Sequence, residues 1–242
     1  MNQIKNDLIA FFNAAIAHYP ATDAKIVGWS NKENQDKRFE VITQALDFND
    51  LSVLDVGCGV GDLVGYLNNN KINSHYYGID LHKEMVRMAK EKFATANFDC
   101  LELSEVEGKY DVVVASGPFN LLVSNNIAYV QDVIAKMYQV ANKAVAFNLL
   151  SSFAPFGLRF SDFYYYSPTE IFNYCMKKYK NVVIRHDYLP HDFQFNCLSI
   201  ICWRGIRNRG QKFFNSFEGC FIDLFSYYSF HILQIILQSI LS

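Results

Sequence analysis

The amino-acid sequence predicts an α/β fold, a doubly wound, mainly parallel seven-stranded sheet with a C-terminal antiparallel hairpin and helices on both faces. Three observations carry that expectation. From residue 51 onward, short apolar runs alternate with segments of helical periodicity. The intervening helices are long enough for crossovers, which parallel neighbours require. The last two strand-like runs, NVVIRHDYL and FQFNCLSIICW, are joined only by a short turn around Pro190, so they pair antiparallel.

Each element has its own signal. Ile4, Leu8, Phe11, Ala15 and Tyr19 recur at helical spacing and predict a helix ending near Pro20. Lys5 followed by LIAFFNAAIA imitates a secretion signal, but Asp7 and Asn13 interrupt the apolar run, so an amphipathic helix is expected. A polar link, VGWSNKEN, leads to a helix over 34–46 with Phe39, Ile42 and Leu46 on one face. LSVLDVG is a short, almost fully apolar strand ending in glycine, as a strand buried on both faces should be. Then follow GDLVGYLNNN as helix, HYYGID as strand, HKEMVRMAKEKF as helix, ANFDCLEL and YDVVVASG as strands, NNIAYVQDVIAKMYQVA as helix and KAVAFNLL as strand. Residues 151–166 are aromatic and irregular. SPTEIFNYCMKKY is a helix with Ser167 as N-cap, Pro168 at the first helical position and Glu170 two residues further.

Composition bounds the function. Of 242 residues, 51% are hydrophobic and 19% charged, enough for a sizeable core and too apolar for disorder. Lys and Arg number 22 against 24 Asp and Glu, so no basic field exists to hold nucleic acid, and no nucleic-acid partner is expected. The six cysteines, at 58, 100, 175, 197, 202 and 220, form no CxxC pair and no zinc-ligand spacing with histidine. Reduced thiols, no metal and a cytoplasmic location are the expectation. After Trp203 the composition shifts: Arg204, Arg207, Arg209 and Lys212 precede a nearly all-apolar helical segment, 213–241. Three readings stay open for this tail: packing on the domain or a partner, peripheral membrane contact with the basic cluster at headgroups, and a true span, against which Asp223 and His231 weigh. The division expected is an N-terminal helical lid (1–50), a ligand-binding domain (51–203) and the tail (204–242).

The sharpest signal is Val53-Leu54-Asp55-Val56-Gly57-Cys58-Gly59-Val60-Gly61-Asp62. Alternating glycines between a strand and a helix let backbone approach a ligand closely. A dinucleotide fingerprint needs glycine where this chain has Asp62, and an acid aimed at a pyrophosphate is electrostatically wrong. The turn therefore suits a ligand without phosphates, and an NAD oxidoreductase is disfavoured. Asp80 ends the next strand, about 20 residues on, where a carboxylate can accept ribose hydroxyls.

VLDVGCGVGDL, YYGIDLHKEM and KYDVVVASGPFNLL resemble the first, second and fourth motifs of the class I (Rossmann-like) S-adenosylmethionine-dependent methyltransferases, over roughly residues 26–203. The resemblance implies S-adenosyl-L-methionine as cofactor. Gly57, Cys58, Gly59 and Gly61 would pass beneath it, Asp55 would organise its methionine ammonium end, Asp80 its ribose and Leu81 its adenine. Asp99, with Glu102 as rival, would reach the adenine amine, while Ser116, Gly117 and Phe119 would line the methyl-transfer mouth. In GWSNKENQDKRF, Trp29 would act as an apolar lid and Arg38 would face the methionine carboxylate. A turn-capping role for Asp55, and simple packing of Trp29 on a solvated helix, remain alternatives.

The acceptor side is less defined. Ser116-Gly117-Pro118-Phe119-Asn120 departs from the Asn-Pro-Pro-aromatic turn of enzymes that methylate adenine or glutamine amides, which lowers those readings. Phe119, Asn120, Arg159 and Tyr165 are the candidate acceptor residues, Arg159 for an acidic group within an aromatic wall; packing on the sheet is the alternative. No catalytic base is assigned. His186 and His191 are weak candidates, since a surface or core role suits each of them better than that of a base. The expected function is methyl transfer by in-line displacement to a small-molecule acceptor. The alternative is a non-catalytic cofactor-binding module recruited by the tail to a partner or membrane.

Overall fold

Order in the sheet is β3-β2-β1-β4-β5-β7-β6, made by β1 (Ser52–Val56), β2 (His75–Asp80), β3 (Asn97–Cys100), β4 (Tyr110–Ser116), β5 (Ala141–Leu150), β6 (Asn181–Leu189) and β7 (Asp192–Leu198). The computed structural model describes residues 2–20, 23–179 and 181–198. The basic and apolar tail expected at 204–242 lies outside the described residues. β1 pairs parallel with both β2 and β4, in the registers Val56↔Ile79 and Val53↔Val112. Chain order reverses between these two neighbours of β1, and such a switch point opens a crevice beyond the strand C-termini. β7 runs antiparallel to β6, as the short turn at Pro190 requires, and antiparallel to β5 as well.

Strand alternation divides the core. Leu54 and Val56 of β1, Val113 and Ala115 of β4, Phe147 of β5 and Phe195 of β7 face one side. There they bury against Val130, Ile134 and Met137 of α5 (Asn126–Val140) and Ile171 and Cys175 of α6 (Pro168–Lys178). The aromatic surplus is spent partly here, with Phe147 and Phe195 stacked at 5.5 Å between centroids. The opposite side of the sheet carries Asp55, Asn148, Asp192, Gln194 and Asn196, all buried. α2 (Lys32–Gln44) packs against β4, β5 and β7.

Capping chemistry sets several helix ends. Ser167 Oγ accepts from Glu170 N at 3.3 Å, and Pro168 opens α6, as the sequence predicts. α2 begins two residues earlier than its apolar periodicity indicates, because Asn31 Oδ1 accepts from Asn34 N at 2.8 Å. α3 (Asp62–Asn69) and α4 (Lys83–Lys92) follow β1 and β2. β3 stops at Cys100, short of the expected ANFDCLEL, and a 3-10 turn at Leu103–Glu105 takes over. Residues 151–166 are irregular but pinned: Leu122 N donates to Asp162 O, Tyr164 N to Asn120 O and Tyr166 N to Leu150 O, each at 2.8 Å. Among the described residues, no helix is long and apolar enough to cross a membrane.

Candidate active site

The glycine turn leaves β1 at the switch point. Gly57 and Cys58 donate their N–H groups to Ile79 O at 2.8 and 3.0 Å, which ties the turn to β2. Gly59 has φ 54°, and a Cβ there would lie 2.7 Å from Val27 Cγ1, so neither its backbone conformation nor its neighbour tolerates a side chain. Asp80, at the tip of β2, completes the turn: its Oδ2 accepts from Gly59 N at 2.9 Å and its Oδ1 from His82 N at 2.8 Å. Each carboxylate oxygen keeps a further acceptor position. Burial pushes the Asp80 carboxyl above its ordinary value, against the pull of the His82 and Gly59 amides.

Asp55 is buried on β1 and its Oδ2 accepts from the Tyr76 hydroxyl at 2.7 Å. Burial pushes its carboxyl up to about 7; the Tyr76 hydroxyl works against this, and the charges of Asp80 and Asp62 add to it. Asp62, at the start of α3, pairs with Lys92 at 2.7 Å and accepts from Gln35 Nε2 at 2.9 Å. All three carboxylates line one cavity. Among the described residues, neither Asp55 nor Asp80 has a Lys or Arg partner. A cationic ligand relieves that surplus of negative charge, whereas a phosphate worsens it.

The cavity is walled by Trp29, Cys58, Leu81, Ser116, Gly117 and Phe119, which the sequence reading nominated. Gly117 has φ 90°, and a Cβ there would meet Trp29 Cζ2 at 2.4 Å, so this glycine lets the indole lie on the backbone at the end of β4. The sequence leads one to expect a helical lid over 1–50, but it singles out as ligand contacts none of the residues of the first helix that line the cavity. Ile4, Leu8 and Phe12 of α1 (Asn2–His18) line the cavity. α1 is fastened by Lys5 to Glu102 at 2.6 Å, by Asn13 Oδ1 to His82 Nε2 at 3.1 Å and by Phe11 against Phe163 at 6.0 Å. Its helical periodicity was legible; only the fold shows what that apolar face covers.

Several nominated residues are not brought to the cavity. Arg38 is buried and paired with Asp192 at 2.8 Å, because strand alternation turns Asp192 toward α2 and supplies a carboxylate from the chain itself. Gly61 caps α3, packed against Phe93 and Phe98, instead of lying under the cavity floor. Asp99 is exposed, accepting from Tyr77 OH at 2.9 Å and paired with Lys90; its rival Glu102 does line the cavity. Asn120 is buried and its Oδ1 accepts from Leu150 N at 3.0 Å, serving the loop. Arg159 Nε donates to Ala154 O at 2.9 Å, and the Tyr165 hydroxyl accepts from Phe160 N at 2.9 Å, so both brace their own loop. Phe153, Phe156 and Phe160 of that loop are exposed, and none of the three lines the cavity. His186 Nε2 sits 2.7 Å from Ser151 Oγ, and His191 Nε2 sits 3.2 Å from Arg38 Nη2; neither reaches the cavity. Burial, then the Arg38 charge, holds His191 below the ordinary histidine range.

A doubly wound sheet with an acid-lined crevice at its switch point defines an α/β protein with a ligand site at its strand ends, and comparison with known proteins specifies which kind. Residues 54–144 match the family model described as a methyltransferase domain. The chain is 32% identical over 148 residues to Rv1506c of Mycobacterium tuberculosis, named as a methyltransferase; the match covers 59% of this chain and 89% of that protein. It is 35% identical over 91 residues to the mitochondrial ubiquinone biosynthesis O-methyltransferase of Saccharomyces cerevisiae, covering 35% of this chain and 26% of that one. The fold is similar to the magnesium protoporphyrin IX methyltransferase of Synechocystis PCC 6803, with a TM-score of 0.57 at 16% identity over 80% of this chain and 96% of that one. The chain belongs to the class I S-adenosylmethionine-dependent methyltransferases. It is a methyltransferase enzyme.

Proposed function

We propose that this methyltransferase transfers a methyl group by in-line displacement to a small-molecule acceptor whose reacting atom is oxygen. The observation that carries the cofactor's placement is the pair of carboxylates, buried Asp55 and half-buried Asp80, that share one cavity with no cationic partner among the described residues. That donor set fits S-adenosylmethionine, which brings an ammonium, a sulfonium and a ribose and no phosphate. When bound, the cofactor supplies the electrophilic methyl group. Asp80 holds the ribose hydroxyls with its remaining acceptor positions while keeping the Gly59 turn in shape. Asp55 faces the ammonium. Leu81 lies against the adenine, and the backbone of Gly57, Cys58 and Gly59 forms the floor. Ser116, Gly117 and Phe119 border the acceptor's approach, with Trp29 and α1 excluding water so that the acceptor is held opposite the leaving sulfur.

A small acceptor is supported by the apolar roof of Ile4, Leu8 and Phe12 over the cavity. Oxygen is supported by the engagement of the cavity's histidine in the fold. Among the described cavity residues the histidine is His82, whose Nδ1 accepts from Met85 N and whose Nε2 meets Asn13. An ionised oxygen acid needs no proton removed, unlike a neutral amine. Two curated relatives, over about a third of this chain, are named O-methyltransferases. The test is incubation of the purified chain with methyl-labelled S-adenosylmethionine and fractionated small-molecule extracts. Label in a low-molecular-mass ester or ether is expected; label confined to protein or nucleic acid contradicts the proposal.

A further inference from the structure

Arg38 is a buried cation that does no work at the cavity surface, and that invites the question of why it is there. Its guanidinium is 2% exposed and its partner Asp192 is fully buried. Removing both charges from water costs several kcal/mol that their attraction only roughly repays, so such a pair is poor evidence for a stabilising role. What the geometry specifies instead is orientation. Nε donates to Asp192 Oδ2 at 2.8 Å, Nη1 to Asn34 O at 2.9 Å and Nη2 to His191 Nε2 at 3.2 Å, which fixes the plane of the fork. Arginine only donates, so His191 Nε2 is the acceptor in the last of these. The hydroxyl of Tyr188 donates to Asp192 Oδ1 and holds the carboxylate in turn.

The guanidinium carbon lies 4.3 Å from the ring centre of Trp29. The Cβ direction of Gly117 points into the same indole, 2.4 Å from Cζ2 and 2.5 Å from Cη2. Trp29 is thus clasped between a guanidinium, oriented from the β6–β7 hairpin, and the backbone at the end of β4. It walls the cavity beside Ser116 and Gly117.

We propose that Arg38 is a positioning residue: oriented by Asp192, it clasps Trp29 against Gly117 and so shapes the wall of the cofactor cavity. The proposal rests on the cofactor placement above. It reassigns Arg38 from the ligand to the lid. It also explains the residue type, since lysine matches the charge but has neither a planar face to stack nor a fork to be oriented.

The test uses the full chain carrying Trp203→Phe, which leaves Trp29 as its single tryptophan. Calorimetric titration with S-adenosylhomocysteine and acrylamide quenching of Trp29 fluorescence are measured in this parent and in Arg38→Lys and Gly117→Ala added to it, with melting curves confirming the fold. Both variants are expected to expose Trp29 to quencher in the ligand-free protein and to raise Kd about tenfold, the scale of a desolvated cation–π contact. A folded Arg38→Lys variant with parental quenching and Kd overturns the proposal. Should Arg38→Lys not fold, Gly117→Ala, which leaves the ion pair intact, decides on the same two readouts: raised quenching with raised Kd supports the clasp, and parental values overturn it. A parent that binds no S-adenosylhomocysteine overturns the cofactor placement instead, while the ligand-free quenching comparison still reports whether Arg38 holds Trp29.

Discussion

Asp55 shows how one side chain carries both a cost and a function. Its carboxyl is pushed from 3.8 to about 7, chiefly by burial. A carboxyl raised on folding stabilises the free protein most below its unfolded value, and that contribution is lost as pH rises through about 7. Asp55→Asn should therefore melt at a higher temperature than the unaltered chain at pH 8, with the difference shrinking toward pH 5. Ligand binding runs the other way. With the ammonium facing an ionised Asp55, affinity for S-adenosylhomocysteine should fall by up to about tenfold from pH 7 to pH 6, since each unit is worth about 1.4 kcal/mol. Calorimetry should find that slope flattened in Asp55→Asn; an equal slope in both proteins contradicts the assignment of Asp55. That this residue and Asp80 reach the cavity was legible, because the strand ends and the glycine turn beside them announce themselves in sequence. Arg38 was misplaced because its partner, Asp192, lies 154 residues away and only strand alternation turns it inward.

At the scale of elements, α1 and α6 give contrasting predictions. The Ser167 cap on α6 is local, and Ser167→Ala should cost about 1 kcal/mol, read as a lowered urea midpoint with no change in ligand affinity. The roof helix α1 acts through its buried face rather than its ion pair. Lys5 and Glu102 have side chains 40% and 36% exposed, so solvent screening leaves their bridge little energy, and Lys5→Ala should leave both melting and affinity nearly unchanged. Leu8 is 7% exposed and lines the cavity. Leu8→Ala should lower stability by about 2–3 kcal/mol and weaken S-adenosylhomocysteine binding several-fold, as the apolar contact it makes beside the cavity is lost. If Lys5→Ala has the larger effect, the account of the roof is wrong. α1 itself was visible as a 3.6-residue pattern, but a pattern shows that a face is covered, not by what. Likewise the 151–166 loop read as aromatic in sequence, yet its direction is set by backbone bonds to 120–122 that no local signal encodes.

For the molecule as a whole, strand count, parallel pairing and the closing hairpin were legible because each follows from connection length. The position of the cavity followed too, since Asp55, Gly57, Gly59 and Asp80 sit where strand order reverses between β2 and β4 across β1. How the cavity's walls meet was not legible, because they come from segments remote in sequence: α1, the link bearing Trp29, and the end of β4. The central claim is that a phosphate-free nucleoside is gripped over that turn through its sugar by Asp80. Calorimetric titration of S-adenosylhomocysteine into the unaltered chain and into Asp80→Ala, both shown folded by their melting curves, tests it most directly. The account predicts saturable binding weakened about tenfold or more by the substitution, each lost charge-assisted hydrogen bond being worth roughly 1.5–3 kcal/mol. Equal affinity in the two proteins, or no binding to either, would contradict it.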